Sequence, residues 1–174
     1  EYKSQGYDVV QKVFVSFPHQ IMVISLRSNH PNGLIGKIRL DRPLDEGQKT
    51  VNVRSFNQQI VMEGEVTQRA GKFRSEPFPI LSGVKFQTHL LSHKIGGNIK
   101  ATNGILEVSG VKNLTLFIAT NSDYYTPSYI QKNSIEIEKA QATPLEEIER
   151  MHVKEHQSYF NRTELSLGGD PELI

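Results

Sequence analysis

Asn103-Gly104 separates two short alternating runs, NIKAT and ILEVSG, and constrains the chain more than any other pair of residues. A two-residue type I′ turn needs positive φ at both central positions, and Asn-Gly between apolar alternations meets that need better than any other dipeptide. The hairpin sits inside Val84 to Thr120, which begins VKFQTHLLSHK, turns at Gly96-Gly97 and closes with NLTLFIAT. In the closing run Leu114, Leu116 and Ile118 point one way, and Phe117 and Ala119 the other. A strand apolar on both faces is a central strand of a layered β structure.

The rest of the chain repeats that grammar. Val9, Val13, Val15 and Phe17 alternate with Asp8, Lys12 and Ser16, which predicts a half-buried strand over 7–17. After a turn at Pro18-His19, the β-branched run 20–27 predicts a central strand paired with the first. Leu34, Ile38 and Leu40 point inward in a third run, with Lys37 and Arg39 outward. A hairpin around Phe56-Asn57-Gln58 carries Val51 and Val53 on one arm and Ile60, Met62 and Val66 on the other. Residues 67–82 have no period and two prolines, so they are expected to form a long surface loop.

After Thr120 a polar, aromatic stretch leaves the sheet. Thr143-Pro144-Leu145-Glu146 then predicts a capping box, with Thr143 as N-cap and Pro144 first in a helix over 144–160. Its stripe of Leu145, Ile148, Met151, Tyr159 and Phe160 must pack on something, and an extended segment over 163–167 follows. The expected fold is therefore all-β, an antiparallel β-sandwich, with one C-terminal linker α-helix. Residues 1–122 form the sandwich domain and 123–174 the linker. A strand signal that starts at Tyr7 without a preceding linker, and the abrupt close on ELSLGGDPELI, suggest a piece of a longer polypeptide.

Composition excludes several functions. With no cysteine, thiolate catalysis, disulfides and cysteine-based zinc sites are out. A formal net charge of +1 gives no electrostatic reason to expect nucleic acid or an anionic membrane as partner. No apolar stretch approaches the ~20 residues a membrane helix needs.

Two histidine arrangements could carry chemistry. His152-Val153-Lys154-Glu155-His156 matches the H-x-x-E-H pattern in which two histidines four apart on a helix ligate zinc and the glutamate activates its water. A catalytic zinc normally has three protein ligands, and Glu164 and Glu172 are poor candidates for the third, so packing and surface roles are the expectation. His89 and His93 share a strand face with Lys85 and Gln87, and with Glu107 could act as acid and base in an aldose epimerase. Strand rise puts these histidines roughly 13 Å apart, too far to act on one bond without a bend. Tyr124, Tyr125 and Tyr129 could stack on sugar rings or simply cap the sandwich edge. The sequons at Asn113 and Asn161 are pattern matches, the first in a strand expected to be buried.

The ordered segments KVFVSFPHQIMVISLRS, VKFQTHLLSH, GGNIKATNGILEVSGVKNLTLFIATNSDY and HVKEHQSYFNRTELSLG resemble the N-terminal region of family 95 glycoside hydrolases, the inverting α-L-fucosidase group. The residues that carry the resemblance are Phe14, Ser16, Pro18 and Gln20, then Val23 to Leu26, Gly96 to Ala119, and finally His152, Tyr159, Phe160, Arg162, Leu167 and Gly168. It implies a β-supersandwich, a helical linker, and an (α/α)6 barrel outside this chain that holds the acid glutamate and the water-positioning asparagine and aspartate. It assigns no catalytic, cofactor-binding or metal-binding residue to these positions and calls for no cofactor. It further implies a fucosylated or related glycan as the parent enzyme's ligand, the barrel as an intramolecular partner, and a secreted or periplasmic location. Two other readings stay open: a stand-alone carbohydrate-binding β-sandwich module, and a mutarotase-like epimerase built on His89 and His93.

Overall fold

A computed structural model describes residues 1–4, 6–44, 50–69 and 80–164. The chain runs through β1 (Tyr2–Ser4), β2 (Tyr7–Ser16), β3 (Ile21–Ser28), β4 (Leu34–Arg39), β5 (Val51–Phe56), β6 (Gln59–Arg69), β7 (Ile80–Ile95), β8 (Asn98–Thr102), β9 (Ile105–Val111) and β10 (Asn113–Ser122). Two helices follow, α1 (Tyr129–Ala142) and α2 (Leu145–Phe160). A seven-stranded antiparallel sheet in the order β1-β2-β3-β10-β7-β6-β5 packs on a three-stranded sheet, β4-β9-β8. The helices lie on the outer face of the large sheet, so the architecture is three layers deep. The all-β sandwich is as expected from the alternations, with two C-terminal helices in place of one.

The alternation on β10 explains why both faces of the large sheet are covered. Leu114 and Leu116 join Ile60 and Leu90 against Ile99, Leu106, Val108 and Val111 of the small sheet. Phe117 and Ala119 turn the other way and join Ile21, Val23 and Leu91 under Ile137, Ala140 and Ile148 of the helices. β10 lies between β3 and β7, the central position its sequence predicts.

The turns are set locally. Asn103 (φ 48°) and Gly104 (φ 77°) take the two left-handed positions between β8 and β9 that a type I′ turn requires. Gly97 has φ 58°, and a Cβ there would stand 2.3 Å from the main-chain carbon of Gly110, so both backbone shape and close approach demand glycine.

Four expectations need correction. The single linker helix expected over 144–160 is joined by another over 129–142, so the described residues after the last strand hold two helices. The expected loop over 67–82 is partly sheet, because β6 runs to Arg69 and β7 starts at Ile80, with Gln68 opposite Leu81 and Arg69 opposite Ile80. A register shift between Val66 and Gln68 breaks the alternation there, and residues 70–79 lie outside the described residues.

The capping box does not form. Pro144 is the N-cap of α2 with no side-chain cap hydrogen bond, and Thr143 donates its hydroxyl backward to Lys139 O at 2.8 Å, in the last turn of α1. Glu146 and Glu147 still place negative charge in the first turn of α2, where the helix dipole favours it.

The faces of β2 are the fourth correction. Val9 is buried, but Val13, Val15 and Phe17 are 47%, 63% and 66% exposed, while Ser16 is buried and Phe14 packs under the helices. The small sheet covers the middle of the large one, and α2 covers β2 from the other side. The extended segment expected at 163–167 begins in coil at Thr163, and its remainder from 165 lies outside the described residues.

Candidate functional site

The H-x-x-E-H segment lies on α2 and is used for stacking. Phe14 of β2 stacks on His152 with ring centroids 4.9 Å apart and an interplanar angle of 23°. His152 and His156 follow at 6.1 Å, and His156 and Phe160 at 5.5 Å, giving a ladder of rings at helical spacing. His152 Nδ1 is buried without a hydrogen-bond partner among the described residues. No group of three or more His, Asp or Glu side chains that could hold a metal ion occurs among the described residues.

The epimerase constellation is not assembled. His89 faces the helix side of the large sheet and donates from Nε2 to Gln59 Oε1 at 2.7 Å. Burial lowers its pKa, and the nearby Arg54 charge lowers it further, so the neutral imidazole is favoured. Glu107 sits on β9 between the inward-facing Leu106 and Val108, so it points away from the large sheet, and it pairs with Lys37 at 3.8 Å. Histidines and carboxylate are therefore on opposite sides of the sandwich.

A polar network, buried at Gln87, Asn133 and Glu136, ties α1 to the sheet. Arg54 on β5 holds Glu63 on β6 through two bonds of 2.8 and 3.0 Å, and Gln87 on β7 donates to Glu63 at 2.8 Å. Asn133 on α1 donates to Gln87 O at 2.8 Å and to Gln87 Oε1 at 3.1 Å. Asn121 on β10 then donates to Asn133 Oδ1 at 2.8 Å and to Glu136 Oε2 at 2.7 Å. The Arg54 hydrogen bond holds the Glu63 carboxyl below its usual range, whereas burial pushes Glu136 up despite the Asn121 and Lys132 contacts. The cluster is a docking device. The sequence reading missed it because it did not foresee α1.

A cavity of about 750 Å³ lies between the outer face of the large sheet and the corner joining α1 to α2. Strand register builds its floor. Lys12, Ser25, Thr115 and His93 stand directly opposite one another across β2, β3, β10 and β7, and Val10, Arg27, Asn113 and Ile95 form the next row. The preceding row, Phe14, Val23, Phe117 and Leu91, is apolar and belongs to the core under the helices. Coverage thus ends where the polar rows begin.

The other marked residues are peripheral. Tyr124 and Tyr125 stand exposed in the β10–α1 connection, edge to face at 5.0 Å, while Tyr129 starts α1 half-buried. The sequon at Asn113 runs into buried Leu114 and Thr115, and Asn161 is the C-cap of α2.

No curated protein matches this chain. The profile of the family described as glycosyl hydrolase family 65, N-terminal domain, matches residues 1–127, which takes in β1 to β10 and stops before α1. That bears out the coarser part of the resemblance, an N-terminal sandwich domain of a glycoside hydrolase, and names family 65 where the sequence motifs resemble family 95. Since the match covers most of the chain, this protein belongs to the glycosyl hydrolase family 65 N-terminal domain family.

Proposed function

We propose that the chain is the non-catalytic N-terminal sandwich of an α-L-fucosidase-like, inverting glycoside hydrolase. In this reading residues 1–122 are the sandwich and 123–174 lead toward a helical barrel that carries the chemistry. The family match over residues 1–127 carries the reading. The fucosidase-like specificity is supported by the resemblance, and the residues behind it have structural employment consistent with a domain that buttresses rather than reacts. Ser16 shares a 3.1 Å hydrogen bond with His19, and Gln20, at φ 55°, donates from its side chain to Phe17 O at 2.7 Å, so this motif shapes the β2–β3 turn. The two ends of the resemblance also touch, through the Phe14–His152 stack.

The test uses a polypeptide that continues past Ile174 into a helical barrel. It is expected to cleave an aryl α-L-fucoside and release the inverted anomer, read by proton NMR, while the 174-residue chain alone releases no fucose. Cleavage of an α-D-glucoside but not of the fucoside overturns the specificity, and fucose release by the 174-residue chain overturns the non-catalytic role.

A further inference from the structure

We infer that the cleft at the α1–α2 corner is a subsite for a neutral saccharide, an inference that rests on reading the chain as a glycoside hydrolase domain. Six side chains around the cleft, Ser25, Arg27, His93, Asn113, Thr115 and Gln141, have no hydrogen-bond or ion-pair partner among the described residues. For exposed Arg27, His93 and Gln141 that is unremarkable, but Thr115 is only 7% exposed. Among the described residues its hydroxyl is not one of the fully enclosed unpaired atoms, so it stays open to a molecule seated in the cleft. Thr115 lies at the centre of the cross-strand row, with Ser25 on one side and His93 on the other, where opposed side chains stand about 5 Å apart. The register therefore sets hydrogen-bonding groups side by side, close enough to engage different hydroxyls of one sugar.

The chemistry of the lining selects among ligands. Lys12 is neutralised by Glu149 at 2.8 Å, and the lining carries Glu1 and Glu146 as well as Arg27, so no field of one sign favours a phosphate or a cation. Phe117, Ile95, Leu145 and Val10 supply apolar surface beside the polar rows. An apolar wall with a few convergent planar and hydroxyl groups suits a molecule with a C–H face and a rim of hydroxyls. The 750 Å³ is within the roughly 300–1,000 Å³ of ligand sites and accommodates a short saccharide.

Saturation-transfer NMR on the 174-residue chain, with L-fucose, D-glucose and a fucosylated lactose trisaccharide as probes, tests the inference. At least one probe is expected to show transfer and to shift the amide resonances of Ser25, His93 and Thr115. Arg27→Ala, His93→Gln and Thr115→Val are each expected to weaken binding about tenfold or more. Glu107→Gln, on the far side of the sandwich, is expected to leave it unchanged. Arg27 and His93 are exposed, so their variants keep the test valid if Thr115→Val fails to fold. No transfer from any probe, or transfer that survives Arg27→Ala and His93→Gln, overturns the subsite. Fucosidase activity of the longer polypeptide without binding here overturns the subsite alone, and binding here without that activity overturns only the specificity proposed above.

Discussion

Asn133 on α1 donates to both oxygens of Gln87 on β7, the main-chain carbonyl at 2.8 Å and the side-chain carbonyl at 3.1 Å, and both residues are buried. Its own oxygen accepts from Asn121 on β10, so one amide fixes the helix to two adjacent strands. The apolar contribution of α1 is small, Ile137 and Ala140, and such contacts tolerate sliding. Directional bonds in a buried setting do not, so this network sets where α1 lies.

Asn133→Leu should therefore destabilise the chain although it adds apolar surface. Removing the amide strips partners from buried acceptors on Gln87 and from the Asn121 donor, at about 1–3 kcal/mol for each group left unpaired. Urea denaturation followed by circular dichroism measures it. A loss below about 0.5 kcal/mol, the scale of an ordinary surface change, would show that α1 is held by other contacts.

The two carboxylates of the network should give stability a maximum in mildly acid solution. Glu136 has its pKa raised by burial, so its contribution is complete below the usual carboxylate range and is lost as pH rises through the raised value. Glu63 has its pKa lowered by Arg54, so its contribution is complete above the usual range and is lost as pH falls through the lowered value. Between neutrality and strong acid, stability should first rise and then fall. Glu136→Gln should flatten the upper limb alone, because glutamine keeps an acceptor for Asn121, and Glu63→Gln the lower limb alone. Urea midpoints across that pH range check this, and a profile unchanged in both variants would refute it.

Helix α2 should divide into a core half and a free half. Ile148 is fully buried among Phe14, Val23 and Phe117, and truncating it to alanine should cost about 2–5 kcal/mol. Tyr159 and Phe160 are exposed at the other end, and their alanine variants should stay within about 0.5 kcal/mol of the parent. Thermal denaturation of the three variants decides it. Equal losses at Ile148 and Phe160 would mean that the whole helix belongs to the sandwich.

Much of the sheet was legible because its signals are local. Asn57 and Asn103 mark tight turns by their tolerance of positive φ, and each turn brings its two flanking runs together. The apolar residues on both faces of β10 likewise announce a strand with layers above and below it. Helix α1 was not legible, because Ser134-Ile135-Glu136-Ile137-Glu138 alternates like a strand. In the helix only Ile137 of the two isoleucines is buried, and Glu136 is buried beside it by a partner on β10.

The same division holds at the cleft. Ser25, Thr115 and His93 come from three separated stretches, and nothing in any one of them indicates the others. The sequence by itself determined the turns, the strands and the central position of β10, since backbone sterics and side-chain alternation act over a few residues. Only the tertiary structure decided which face of β2 is covered, that Glu136 is buried, and that three strands align their polar residues beside the end of α1. Those outcomes depend on register and on where one layer stops covering another, which distant segments settle jointly as they pack.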